Sequence, residues 1–378
     1  MPTRSSKNSP THSRTRLTLL ALLSAAVVVA SPPIQAQNGE ALTVVPSRDK
    51  KIVRRWSLPG DPRGVAIGSD GTIYVGLAEP QAVLAVNPRT GAVRKRVVLD
   101  SAAIASTKEL VTFRTNADRT RLYIANGSDE SATILALPSL EVIREITMEG
   151  ETIRDVVPDP RRRHLYVLGR KVHVFDADGD TELRELNVDD PMAIAVSSTG
   201  STLAIIATED YGSAKGTAVV LFDTTSFAEI ARDPLQTDQA IEGAMFAARD
   251  MSLVAFSRDS LFEKPVTSRP MSIKDAGEGG PMRVDIGDVV NSNHVCFPER
   301  SGAQIVAALA NDSQVAYAER RCSASGTFSG SARNVMTASL YGVDAYALAY
   351  DKASNTLVAT DRAGFLTIYT VPRAAVVR

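Results

Sequence analysis

What is scarce in this sequence narrows it first. Beyond the N-terminus no segment stays apolar for the roughly 20 residues that cross a bilayer, so no membrane span is expected in the mature chain. Aromatic residues make up 5% of the chain, tryptophan occurs once, and 42 basic residues face 43 acidic ones. Nonspecific nucleic-acid binding draws on surplus cations to displace counterions and on rings for base stacking, and this chain is poor in both. After the N-terminal segment no stretch keeps a helical period, which argues against helical domains. His173 and His294 have no acid and nucleophile at a spacing that makes a hydrolytic triad. With 44% hydrophobic residues, 24 Gly and 19 Pro, the chain is neither disordered nor collagen-like and can bury a core.

The N-terminus is distinctive. Arg4, Lys7, Arg14 and Arg16 occur without an acid, the apolar run Leu17 to Ala30 follows, and then comes a short stretch ending in small Ala36. This pattern predicts a signal peptide over residues 1–36 and a single domain over 37–378, in the periplasm or secreted. No cysteine lies near the cleavage region to take a lipid, and no Arg-Arg pair suggests the twin-arginine route. Removing the four leader cations takes 42 basic residues to 38 against 43 acidic, and the net charge from −1 to −5. In an oxidising compartment Cys296 and Cys322 are expected to form a disulfide. Residues 294–297 and 316–322 read as strands of one repeat, where neighbours reach the roughly 5.5 Å between Cα atoms that a disulfide needs. Two buried, unpaired thiols are the alternative.

Short alternating strands separated by turn residues fill the chain from about residue 42 onward. The clearest unit holds four strands: Val65-Ala66-Ile67, Thr72 to Val75, Val83 to Val86 and Val93 to Leu99. Asp70-Gly71 and Thr90-Gly91 stand where tight turns need a positive φ. Leu122 to Ala125, Leu165 to Leu168, Leu203 to Ile206 and Leu357 to Thr360 repeat the second strand. Val172 to Asp176 and Val219 to Asp223 repeat the third. With Val65 as first-strand marker, the equivalents are Val111, Val156, Ile194, Ala244, Val295 and Leu348, spaced by 46, 45, 38, 50, 51 and 53 residues. Units of this length must stack on neighbours to bury both faces. The prediction is an all-β fold: a seven-bladed β-propeller of four-stranded antiparallel blades. The strand Lys51 to Leu58 precedes the first unit, and the last unit stops after Leu366 to Val371. The N-terminal strand is therefore expected to complete the last blade and close the ring. Leu261 to Asp288 and Cys322 to Thr337 are rich in Gly, Ser and Pro and read as loops or irregular outer strands.

These motifs resemble the YVTN-type repeats of exported bacterial propellers, with their Gly-x-x-Pro, DG turn, LYV, VxVxD strand and Thr-x-x-Val turn. The resemblance covers nearly the whole mature chain and implies fold more than activity. It also relates the chain to the superfamily of quinoprotein amine dehydrogenase and lactonase propellers.

In propellers, ligands dock where the connections between blades and the second-to-third-strand loops gather. The residue two before each marker is expected at that channel mouth: Arg63, Glu109, Arg154, Met192, Glu242, Asn293 and Tyr346. Such a ring can grip an anionic ligand, hold a metal through Glu109, Glu242 and Asn293, or supply acid–base groups. It can equally neutralise itself, Arg63 and Arg154 pairing with the two Glu. The polar stretch Glu209-Asp210-Tyr211 is the second candidate, as an extended loop on a rigid ring. Asp176 to Glu182 looks like a calcium loop but lacks the EF-hand spacing. Arg161-Arg162-Arg163-His164 falls in a turn at the opposite end.

A binding or scaffolding module for a protein or small ligand fits these features. A lactonase-like or metal-dependent hydrolase is the alternative, and a subunit of a quinone-dependent dehydrogenase system the second. No cofactor residues are recognised. A monomer is favoured, and the sequence leaves the partner open.

Overall fold

The computed structural model describes residues 41–45, 52–78, 81–99, 111–126, 130–161, 164–210, 215–235, 241–247, 252–257, 260–265, 282–285, 295–298, 303–309, 314–321, 335–339, 345–351, 354, 356–361 and 363–370. They contain 29 strands and no helix. β1 (Thr43–Val44) and β2 (Ile52–Ser57) come first. The first sheet is β3 (Pro62–Ile67), β4 (Ile73–Leu77), β5 (Ala82–Val86) and β6 (Val93–Val98). The second is β7 (Val111–Thr115), β8 (Arg121–Asn126), β9 (Ser131–Ala136) and β10 (Val142–Thr147). The third is β11 (Asp155–Pro158), β12 (His164–Leu168), β13 (Val172–Asp176) and β14 (Glu182–Leu186). The fourth is β15 (Pro191–Val196), β16 (Thr202–Asp210), β17 (Lys215–Asp223) and β18 (Glu229–Pro234). The fifth is β19 (Ile241–Ala247), β20 (Ser252–Ser257), β21 (Ser260–Pro265) and β22 (Met282–Asp285), and the sixth β23 (Val295–Pro298), β24 (Ala303–Leu309), β25 (Gln314–Arg321) and β26 (Val335–Ser339). β27 (Ala345–Asp351), β28 (Thr356–Asp361) and β29 (Phe365–Thr370) form the last sheet together with β2 and β1.

Each of the first six sheets is an antiparallel meander whose strands follow chain order. The core explains why the inner strands read as continuous apolar runs. β3, β4 and β5 are buried along their whole length, whereas β10 and β14 are mostly exposed. Buried side chains cluster between successive sheets rather than within one. Trp56, Leu84 and Leu366 pack between the last sheet and the first, and Tyr74, Phe113 and Leu122 between the first and second. Phe175, Tyr166 and Ile206 belong to the next three such layers. Each sheet thus needs a neighbour on both faces.

The two segments that read as loops or irregular outer strands carry the short outer strands β22 and β26 among the described residues, but the first also holds most of β21, a third strand paired on both sides with β20 and β22, which corrects the reading there. Turn chemistry matches expectation where it was sharpest: Gly71 has φ +78° and Gly91 φ +72°. Gly91 also faces Trp56, whose Nε1 would lie 2.5 Å from a Cβ placed there.

The chain ends meet in one ladder: β2 lies antiparallel to β29, Trp56 opposite Leu366. The N-terminal strand thus completes the last sheet as expected, but the closed ring itself is not shown among the described residues, whose sheets are separate ladders that meet only by packing. What ties the ends beyond that ladder is local. Leu42 N–H donates to Gly91 O at 3.0 Å, and Arg119 reaches Asp351 at 3.0 Å and Gly68 O at 3.3 Å.

Six first-strand markers stand as predicted: Val65, Val156, Ile194, Ala244, Val295 and Leu348 lie opposite Val75, Val167, Ile205, Ala255, Ala307 and Ala359. The second sheet corrects the seventh. There Phe113, not Val111, lies opposite Ile124. Its ring fills the space left by Gly64, where a Cβ would come within 1.8 Å of Phe113 Cδ2. Cys296 is in β23 opposite Val306. Its side chain and Cys322 lie outside the described residues, so the disulfide stays an expectation.

Candidate functional site

At the start of four first strands the ladder skips one residue. The register jumps from Pro62 to Gly64, Pro191 to Ala193, Ile241 to Gly243 and Ala345 to Ala347. The residues left out are Arg63, Met192, Glu242 and Tyr346, all members of the predicted ring. A bulge re-aims the side chain it frees and leaves its backbone unpaired in the ladder. In the third sheet Arg154 takes the corresponding place. Its N–H donates to Leu168 O at 2.7 Å while Asp155 also lies opposite Leu168.

The shift in the second sheet changes the ring there. The residue two before Phe113 is Val111, so Glu109 does not share the position of Arg63. Glu109 and Asn293 lie outside the described residues, as do the side chains of Glu242 and Tyr346.

Arg63 is buried, and its Nε and Nη2 donate to Asp61 Oδ2 at 3.1 and 2.6 Å. Its described acid partner is thus Asp61, two residues upstream. Arg154 likewise turns to the backbone: Nη2 donates to Gly169 O at 2.6 Å and to Pro191 O, bridging the third and fourth sheets. Burial pulls the pKa of its guanidinium below the usual arginine range, against the pull of Asp190 and Glu151. Met192 is half-buried against the core between the fourth and fifth sheets.

Sequence spacing did not reveal two further groups. Arg114 of β7 donates to both Asp155 oxygens, at 2.8 and 2.6 Å. Burial works against its charge, but the Asp155 carboxylate, by charge and hydrogen bond, holds its pKa above the ordinary range. The pair links two first strands 41 residues apart, a separation with no local signal. His173, largely buried in β13, has Nε2 at 3.2 Å from Glu151 Oε2 and Nδ1 at 2.8 Å from Glu182 Oε1. Glu151 Oε1 also accepts Lys171 N–H at 2.9 Å. A line of charged and polar groups therefore runs from beside Arg154 to the outer strand of the third sheet.

The second candidate is corrected in form. Glu209 and Asp210 are not loop residues: they extend β16 opposite Gly216 and Lys215, so β16 and β17 run nine residues each. Thr208 fixes the extension, its Oγ1 donating to Asp190 Oδ2 at 2.8 Å and its partner across the ladder being Thr217. Glu209 Oε1 sits 3.5 Å from Arg232 Nη1. Tyr211 lies outside the described residues. A hairpin longer than its counterparts therefore projects at the same end as the bulges.

At the opposite end a cavity of about 510 Å³ opens between the second and third sheets, lined by Asp118, Arg121, Tyr123, Asp159, His164 and Asp178 among others. The acids of the calcium-like turn are engaged elsewhere: Asp178 pairs with Arg121 at 2.8 Å and Asp180 with Arg144. Arg162 and Arg163 lie outside the described residues.

No protein-family model matches this chain, and no curated protein matches it in sequence. Solved structures match in fold. One chain of the crystal structure of a mitotic checkpoint complex is similar over 87% of this chain and 97% of its own length, with a TM-score of 0.64 and 14% identity. The β-propeller domain of Cps50 (Swd1) from Myceliophteria thermophila is similar over 88% of this chain and all of its own, with a TM-score of 0.62 and 13% identity. At such identities the likeness is one of fold. The all-β chain of four-stranded antiparallel sheets is a β-propeller.

Proposed function

We propose that this chain is an exported, seven-bladed propeller of the YVTN-repeat kind that binds a protein partner or small ligand at the mouth end of its first strands. One observation carries the reading: bulges at matching places free Arg63, Met192, Glu242 and Tyr346 from the ladder at one end of the fold. The projecting β16–β17 hairpin lies at that same end and adds a recognition edge. Arg63 and Arg154 are held by Asp61 and by backbone carbonyls, so they brace this end and leave Met192 as its best-described contact residue.

A photo-crosslinking residue placed at Met192, and separately at Leu183 on an outer strand, tests the reading in the exporting host. Adducts are expected at position 192 and not at 183. The captured species, purified, should bind wild-type protein and lose at least tenfold in affinity for Met192→Lys, whose aliphatic stem keeps the packing against the core and whose melting transition establishes that it is folded. Adducts confined to position 183, or equal binding by the variant, would overturn it.

A further inference from the structure

The outer strands of the sheets differ in charge: two of them carry cations alone. Every ionisable side chain in β2 and β6 is a cation: Arg54 and Arg55 in one, Arg94, Lys95 and Arg96 in the other. In β10, β14 and β18, three arginines meet five acids, Glu145, Glu182, Glu185, Glu229 and Asp233. The basic strands form one surface, because the segment carrying β1 joins them. Val45 N–H donates to Arg55 O at 2.8 Å, Leu42 N–H to Gly91 O at 3.0 Å, and Ala41 bridges Ala92. Arg94 is offset by Asp70 at 3.0 Å, both about half exposed. Arg55 lies 4.0 Å over the Phe365 ring. Arg54 and Lys95 have no acid partner among the described residues.

Apolar side chains accompany the cations. Val44 is 62% exposed on β1 and Val53 is 55% exposed at the bulge of β2. We infer that this side of the propeller docks on an anionic phospholipid surface. Cations beside exposed aliphatic groups suit an interface where headgroup phosphates meet acyl chains. A nucleic acid would want rings for stacking, and none of the exposed large hydrophobic side chains among the described residues is aromatic. Addition of a partner strand is disfavoured as well: β1 is two residues long and β2 is bulged, and both features blunt an edge.

The test is flotation of the full chain with vesicles of phosphatidylcholine alone and of equimolar phosphatidylcholine and phosphatidylglycerol. All variants share one N-terminus, so the apolar leader contributes equally to each. Binding is expected to be stronger with phosphatidylglycerol than with phosphatidylcholine alone, and that gain is expected to vanish as salt rises. Arg54→Gln and Lys95→Gln should each weaken it roughly fivefold, and together about 25-fold. Arg144→Gln with Arg184→Gln, on the outer strands of the second and third sheets, should leave it unchanged. Val53→Asn should weaken vesicle binding yet leave retention on a sulfonate resin as it was. Melting temperatures establish that each variant is folded. Indifference to phosphatidylglycerol, or equal loss in the Arg144 and Arg184 control, would overturn the inference. So would a Val53→Asn variant that floats like wild type, or vesicle-inert protein that binds DNA or an acidic protein through Arg54 and Lys95.

Discussion

The inner and outer strands of this propeller carry the same backbone irregularity with opposite consequences. On the inner strands the skipped residues are Arg63, Met192, Glu242 and Tyr346. On the outer strands they are Val53, Arg94, Ile143, Leu183 and Ile230. Arg63 is buried and locked by Asp61, whereas Val53, Ile143, Leu183 and Ile230 stand 37% to 55% exposed. The inner edge of each sheet is confined by its neighbours, so polar groups there must find partners. The outer edge is open, and a bulge there twists the edge strand away from pairing with other chains.

If this contrast is right, substitutions near the inner strands are costly and those at the outer bulges are cheap. The largest effect is expected for Asp155→Ala, which strands Arg114 between two sheets. Chemical denaturation should show a loss of about 3 kcal/mol, at the low end for a buried pair because Arg114 keeps part of its surface in water. Replacing both partners with leucine should recover most of that loss. Arg154→Met comes next: Gly169 O and Pro191 O lose a donor, and stability should fall by about 2 kcal/mol.

A smaller, pH-dependent effect belongs to Asp351, at the far end of β27. Burial disfavours its carboxylate, but hydrogen bonds from Ser354 and Arg119 and the Arg119 charge hold its pKa below the usual range. A depressed folded pKa means the contribution is complete above the unfolded value of about 3.9 and fades as pH falls through the lower folded value. Asp351→Asn should therefore flatten the decline in melting temperature below about pH 4 relative to wild type. The smallest effect is expected for Leu183→Ser or Ile230→Ser, within about 0.5 kcal/mol of wild type. A loss there as large as that of Arg154→Met would break the contrast between the two edges.

Much of the fold was legible in the sequence, because burial on both faces leaves a strong trace. Leu165 to Leu168 and Val172 to Phe175 read as apolar strands since each is covered by a sheet on either side. Gly71 and Gly91 read as turns because a side chain there would be strained. Register was less legible. Val111 is as apolar as Phe113, and only the fit of a ring against Gly64 selects between them. The polar residues Glu209 and Asp210 looked like a loop, yet they pair because a ladder begun in the core continues outward at little cost. Spacing singled out Arg63, Met192, Glu242 and Tyr346, and the ladders skip these four; the partners of Arg154 were not legible, because backbone carbonyls carry no sequence signature.

The sequence by itself determined that this chain builds repeated four-stranded units, where most first strands begin and where the tight turns fall. Those features follow from side-chain burial and backbone sterics, which act over a few residues. Tertiary structure alone decided which residues the ladders skip, that Arg114 meets Asp155, that Arg154 bridges two sheets, and that the cations of β2 and β6 share one surface. The skips are set by strand pairing inside each sheet; the other three join groups far apart in sequence, and their meeting depends on the stacking of one sheet on the next.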